Sequence, residues 1–412
     1  MLLPLLPLPT GSGSPDGHFL LASSMSRPLR IALFTGNYVH IEDGVSRTLG
    51  RLVGFLVAQG HEVLVLGPTV DAPPMMRQPG RFLAVPSVPI VGLGRPEYRV
   101  STGFPARIRR EVEAFAPDLV HVATPDLLGF AGLRWALRRG LPVVATYHTH
   151  FVSYLDYYGI EFTRPLFHLI ARRFYNRCVE VYVPTIEMET ALRAQGVTAP
   201  MRLWPRGIEL DLFSPAHRSE PWRARHGFSP DEVVVSFVSR LVKEKGTDVF
   251  VEVVQRLQRE GLPVRALVVG DGPEGATLAE ALPRAAFTGH LGGGDLATAY
   301  ASSDVFLFPS ETETFGNVTL EAMASGVPTV CADAAGSRSL VRSGETGFLC
   351  PPRDAEAFAV AVRRLALDTG LRQTLGAAGR EAAGHYNWPA VLSRMESFYE
   401  GVAAHRAEAH PA

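Results

Sequence analysis

From residue 29 onward, short apolar runs alternate with stretches whose apolar residues recur at helical spacing. RIALFT (30–35), EVLVLG (62–67), DLVHVA (118–123), PVVATYH (142–148) and VEVYVP (179–184) predict parallel strands covered on both faces, because such strands need no polar alternation. Between them SRTLGRLVGFLVAQG, ARIRREVEAFA, LLGFAGLRWALRRG and RPLFHLIARRFYNR predict amphipathic helices. Strand and helix in alternation mean a doubly wound sheet. The pattern then breaks at DLFSPAHRSEPWRARHGFSPDE (211–232), rich in proline and charge, which predicts an interdomain linker. It restarts with VVVSFVS (233–239), VRALVVG (264–270), AAFTG (285–289), DVFLFPS (304–310) and PTVCA (328–332), separated by a second set of helical patterns. The expected fold class is α/β, with two Rossmann-like doubly wound domains, 29–210 and 211–385, facing across a cleft. Residues 1–28, whose brief apolar run is interrupted by prolines and lacks the basic start of a signal peptide, are expected to be a disordered extension.

Composition narrows the function. A length of 412 residues with 46% hydrophobic and 20% charged content fits two or three globular domains, and a net charge of −1 excludes a strongly basic nucleic-acid binder. Cys178, Cys331 and Cys350 are too few and scattered for a disulfide framework, so a reducing, cytoplasmic setting is expected. No stretch reaches the roughly 18 apolar residues of a membrane span. Among 40 basic residues just two are lysines, Lys243 and Lys245, both in SRLVKEKG. Arginine bias in the coding sequence is one explanation; a phosphate pocket that needs a compact, flexible charge is the other.

The candidate chemistry lies in SETETFGNVTLEAMASG (310–326), which follows the strand VFLFP and holds Glu313 before a helix start and Glu321 roughly one turn inside it. The helix start at Gly316 and Asn317 offers unpaired amides and a positive dipole end, a place that suits phosphate. Two acceptors so spaced suit the hydroxyls of two sugar rings on either side of a diphosphate. Equally, Glu313 could be a dipole partner and Glu321 a solvated helix residue. In open α/β sheets ligands bind beyond the carboxyl ends of strands, where this helix, the 240–245 loop and GDGPEG (270–275) converge. No G-x-G-x-x-G follows the first strand, which disfavours a nicotinamide dehydrogenase, and GGGD (292–295) lacks a Walker lysine.

GV at 44–45, YHTH at 147–150, SRLVKEKG at 239–246, GDGP at 270–273, FTGHL at 287–291 and the glutamate motif, in that order, resemble the family 4 retaining glycosyltransferases of the GT-B fold over about residues 29–400. The resemblance implies that Glu313 contacts the donor hexose, Glu321 the ribose, and Arg240 and Lys245 the diphosphate. Lys243 occupies a variable position. It further implies donor contacts from Gly44, Asp271, Leu291 and the amides of Phe315, Gly316, Asn317 and Val318, and a place for His148 at the cleft. Asp43, in EDGV where N-G-V is commoner, departs from the pattern.

His148 and His150, two apart at a strand end, also suit metal ligation, and a packed histidine is the simplest alternative. The family binds its donor without a metal, so no cofactor is expected. Front-side attack with retention is implied, the leaving diphosphate taking the acceptor proton. The implied reaction moves a hexose from GDP-mannose or a UDP-hexose to a lipid or glycan acceptor. A nucleotide-sugar 2-epimerase of the same fold and a non-catalytic sugar-nucleotide binder are the competing readings. Residues 98–110 and 151–177 mix aromatics with arginines, which suits either an anionic membrane surface or ordinary packed aromatics with solvated arginines. The resemblance also places residues 386–406 in a helix that crosses back onto the first domain.

Overall fold

The computed structural model describes residues 27–36, 38, 41, 44–69, 79–89, 99–148, 162 and 164–409. Asp43, His150, residues 1–26 and most of the aromatic run before Arg164 lie outside the described residues. Seven parallel strands form the first sheet: β1 (Arg30–Phe34), β2 (Glu62–Pro68), β3 (Arg81–Val85), β6 (Leu119–Val122), β7 (Val143–Thr146), β8 (Glu180–Val183) and β9 (Met201–Leu203). Their order is β3-β2-β1-β6-β7-β8-β9, and a small antiparallel ribbon, β4 (Ser87–Pro89) with β5 (Arg99–Ser101), lies beside them. The second sheet, β12-β11-β10-β13-β14-β15, comprises β10 (Val233–Val238), β11 (Val264–Val269), β12 (Ala286–Phe287), β13 (Val305–Phe308), β14 (Thr329–Ala332) and β15 (Gly347–Cys350). Both sheets reverse direction of winding beside their first strand, so the crevices for ligands open after β1 and β6 and after β10 and β13.

Burial follows the pleat. Ile31 and Leu33 of β1 enter one core of the first sheet and Ala32 and Phe34 the other, as a two-residue period requires. The C-terminal helix (Trp388–Ala409) covers the former with Val391, Met395, Tyr399 and Val402, spaced along one face. This helix therefore belongs structurally to the first domain.

The segment 211–232 is not a linker. Phe213, Trp222 and Phe228 are buried in the second domain's core, and a short helix (Glu220–Arg225) starts where the Ser219 hydroxyl accepts from Trp222 N. Its proline is a first-turn residue, and its charge is partly internal: buried Arg223 pairs with Asp304 at 2.8 Å and donates to the Ser302 and Glu232 carbonyls. The chain instead crosses between domains at Gly207–Ile208, where Ile208 bridges to Asn387 on the returning strand and its amide donates to the Tyr386 carbonyl. A Cβ on Gly207 would lie 2.4 Å from the Trp388 ring, so the two crossings are pressed together. The described end of the expected extension is tied down as well, since Arg27 ion-pairs with Asp118.

Candidate functional site

Loops after the second-domain strands are stitched into one floor. After β10 the chain reaches Lys245 through a single turn of 3₁₀ helix (Lys243–Lys245) and leaves at Gly246, whose φ of +73° and 2.9 Å approach of a would-be Cβ to the Pro309 carbonyl demand glycine. This presses the lysine loop onto the glutamate loop. Asp271 holds two neighbours, its carbonyl accepting from Leu241 N and its carboxylate from His290 N, both at 2.9 Å. It thereby seats the loop carrying Leu291 beside the one carrying Arg240.

The two lysines separate cleanly. Lys243 is exposed, whereas Lys245 is 6% exposed and its Nζ donates to Glu313 Oε1 at 2.5 Å. The residues expected to hold phosphate and hexose are thus bonded to each other. Gly336, in the one-turn helix after β14 (Ala335–Arg338), packs against Glu313, a Cβ there lying 2.7 Å from the Glu313 Cβ. Arg240 is exposed at the edge of this floor. Gly316 begins the motif helix (Asn317–Ala324) with no side-chain cap, leaving the first-turn amides for a ligand. Phe315 itself is buried against Tyr386, ring centroids 5.7 Å apart, so its side chain is core and only its main chain can serve a donor. Glu321 accepts from the Tyr300 hydroxyl at 2.9 Å. Burial raises its carboxyl to about 7, opposed by that hydrogen bond and by Arg47 of the first domain.

Among the described residues the first domain also meets this floor at Gly44 and at His148. Gly44 begins helix Gly44–Ala58, and a Cβ there would stand 3.1 Å from Asn317 Nδ2, so two helix N-termini approach across the cleft. At the second point the Thr314 hydroxyl donates to the His148 carbonyl at 3.1 Å. The His148 ring does not reach out. It is buried, with Nε2 at 2.8 Å from Thr146 Oγ1 and Nδ1 at 2.9 Å from an Arg206 nitrogen. Both ring nitrogens are engaged inside the first domain, which removes His148 as a metal ligand in this arrangement.

Thr314, Tyr300 and Arg206 are site neighbours that motif reading missed. The first lay within the motif, but the others are joined to their partners only by the fold.

Buried histidines set an acid limit. Burial lowers His121 to about 3, and burial, Arg206 and His121 hold His148 well below the usual imidazole range. Both are neutral when folded, so below about pH 6.5 the unfolded chain binds more protons and stability falls as pH drops. At pH 5 the His121 ring alone costs about 2 kcal/mol. Because the raised Glu321 carboxyl acts in the opposite sense over this range, the test is a comparison: His121→Asn should lose less Tm than wild type between pH 7 and pH 5, and equal losses would contradict the burial argument.

Two parallel doubly wound domains whose strand-end loops meet in this way define a GT-B glycosyltransferase. Among solved structures, a sucrose-phosphate synthase from Thermosynechococcus elongatus superposes with a TM-score of 0.76 at 25% identity, covering 91% of this chain and 99% of that one. Residues 43–212 match the family profile described as Glycosyltransferase Family 4, and residues 232–368 the one described as Glycosyl transferases group 1. A GDP-mannose-dependent alpha-mannosyltransferase of Mycobacterium tuberculosis is 35% identical over 393 residues, covering 92% of this chain and 98% of that protein. Sulfoquinovosyl transferase SQD2 of Arabidopsis thaliana is 33% identical over 398 residues, covering 93% of this chain and 75% of that protein. The chain belongs to glycosyltransferase family 4, and it is a hexosyltransferase.

Proposed function

We propose that this enzyme transfers a hexose, with retention, from a nucleotide-diphosphate sugar to a lipid acceptor, and that GDP-mannose is the donor. The observation that carries this is the pairing of buried Lys245 with Glu313 beside an uncapped helix N-terminus, with Glu321 farther along the same helix. Lys245, Arg240 and the amides of residues 315–318 supply positive potential for a diphosphate, and the two carboxylates supply acceptors for the sugar hydroxyls on either side. Glu313 would hold the hexose and Glu321 the ribose.

In the step itself the bond from the anomeric carbon to the β-phosphate oxygen breaks while the acceptor oxygen bonds on the same face. The acceptor proton passes to the departing diphosphate, so neither a metal ion nor a carboxylate nucleophile takes part. Lys245 and Arg240 stabilise the charge that grows on the leaving group. GDP-mannose is favoured because several relatives carry it in their names. A lipid acceptor is favoured by relatives named as phosphatidyl-myo-inositol mannosyltransferase and alpha-monoglucosyldiacylglycerol synthase.

Exposed apolar side chains on the first domain support delivery of the acceptor from a membrane surface. Leu127, Phe162, Leu166 and Ile186 are exposed, and helix Arg164–Tyr175 buries only Phe174 and Tyr175 while carrying Arg172 and Arg173 in its last turn. Among the described residues no helix is long and apolar enough to cross a membrane. Sedimentation with vesicles of anionic lipid should carry the protein down at low salt and release it at high salt; no salt-sensitive binding would remove the membrane role. A thermal-shift screen against GDP, UDP and ADP identifies the donor base, since a ligand at 100 times its Kd adds about 2.7 kcal/mol. GDP alone should stabilise strongly; stabilisation by UDP would reassign the donor.

A further inference from the structure

Five buried side chains form an unbroken polar chain beneath the cleft. Tyr399 of the C-terminal helix lies 2.7 Å from His121 Nδ1, His121 Nε2 lies 3.0 Å from Thr146 Oγ1, and Thr146 Oγ1 lies 2.8 Å from His148 Nε2. Arg206 closes the far end at 2.9 Å from His148 Nδ1. A second Arg206 nitrogen donates to the Trp204 carbonyl at 3.2 Å, and the guanidinium lies over the Trp204 ring, 5.2 Å from its centroid. Among the described residues no carboxylate pairs with this buried cation.

Donor and acceptor roles along half of this chain are forced. A guanidinium can only donate, so Nδ1 of His148 must accept and carries no proton. A neutral imidazole then bears its proton on Nε2, which donates to Thr146 Oγ1. We infer that Arg206 is the positioning residue for His148: it locks the ring as the neutral Nε2–H tautomer, so that His148 serves the cleft through its main-chain carbonyl and not as an acid or base.

Charge supports this. Arg206, lowered by burial only to about 10, stays protonated at neutral pH and repels a second positive charge on the ring. Among the described residues, the groups facing His148 are Arg206, His121, Thr146 and Trp204 from the first domain and the Thr314 hydroxyl from the second, and none of these is an anion that would favour imidazolium. Position explains why the lock matters. Arg206 directly precedes the Gly207–Ile208 crossing, and Tyr399 lies on the helix that follows the other crossing at Asn387. The carbonyl of the locked residue accepts from Thr314, next to Glu313. Both domain crossings are thereby connected, through His148, to the loop that holds the hexose. Arginine suits this place because one planar fork serves the imidazole and the Trp204 carbonyl together, while the donor to Nδ1 alone can also come from an ammonium.

The inference rests on the proposed transfer reaction for its kinetic consequence only. In the ¹⁵N-histidine-labelled full chain, with His148 assigned by its loss in His148→Asn, the ring should show the Nε2–H tautomer and no titration between pH 8 and pH 5.5. Arg206→Met should make the ring titrate in that range or change tautomer, and lower kcat for transfer about tenfold, with the GDP Kd within twofold. Arg206→Lys, which also covers failure of the methionine variant to fold, should retain the tautomer and recover kcat to within about threefold. An unaltered His148 signal in Arg206→Met, or one that is Nδ1–H in wild type, overturns the inference; so does a parallel loss of kcat, GDP affinity and Tm. If wild type transfers from no donor, the proposed reaction fails, while the tautomer measurement still decides the role of Arg206.

Discussion

Lys245→Ala is expected to lower kcat on the order of 100-fold or more, the usual cost of removing one preorganised donor to a developing negative charge. Lys243→Ala is expected to stay within about twofold. The contrast follows from placement: adjacent lysine positions in one loop differ because Lys243 faces solvent while Lys245 is buried against Glu313. Removing Lys245 also strips Glu313 of its partner. Part of that loss is structural, about 1–3 kcal/mol for a pair whose carboxylate retains some solvent access. Lys245→Ala with Glu313→Gln separates the effects, since the double variant should regain stability without regaining turnover. Steady-state kinetics and urea midpoints on the three variants provide the check, and equal losses for the two lysines would remove the diphosphate role.

The second large effect is expected at Glu321→Gln. A ribose hydroxyl donating to a carboxylate contributes about 1.5–3 kcal/mol, so the GDP Kd should rise about 10- to 100-fold. Glu321 is ionised only above about 7, hence wild-type GDP affinity should strengthen as pH rises through that value. Stability runs the other way. The folded chain holds this proton more tightly than the unfolded chain, so stability is lost as pH climbs from about 4.5 to 7 and the penalty is fully present above that. Glutamine removes it, and at pH 8 the variant should be more stable by about 1–2 kcal/mol once the partial exposure of the side chain is allowed for. Calorimetric titration with GDP and a thermal melt at pH 8 test both; a variant that binds GDP normally, or melts earlier, contradicts the assignment.

The central strands were legible because parallel strands buried on both faces read as continuous apolar runs. Of the four edge strands of the two main sheets, β12 was legible in AAFTG and the other three were not. β3 shows a mixed, half-exposed pattern, β9 has three residues, and β15 begins with glycine, none of which produces an apolar run. The segment 211–232 misled because proline and charge mark both linkers and capped helix starts, and only the fold reveals that Arg223 is internal. Lys245 and the glutamate pair could be picked out as candidates because each lies in a short local motif, and the structure brings Lys245 and Glu313 together. The partner of each was legible less often. Tyr300 reaches Glu321 across 21 positions and Arg206 reaches His148 across 58, separations that no local pattern encodes. His148 shows the limit: its place at the cleft could be expected from YHTH, but the engagement of both ring nitrogens could not.

The account stands on transfer of a hexose with retention. Its most direct test is to incubate the enzyme with GDP-mannose and lipid vesicles containing diacylglycerol and phosphatidylinositol, and to determine the anomeric configuration of the mannolipid by ¹H NMR alongside released GDP. An α-linked product formed mole for mole with GDP, and lost in Lys245→Ala, is the result expected. A β-linked product, hexose released only to water, or a new sugar formed from the donor without an acceptor would contradict it.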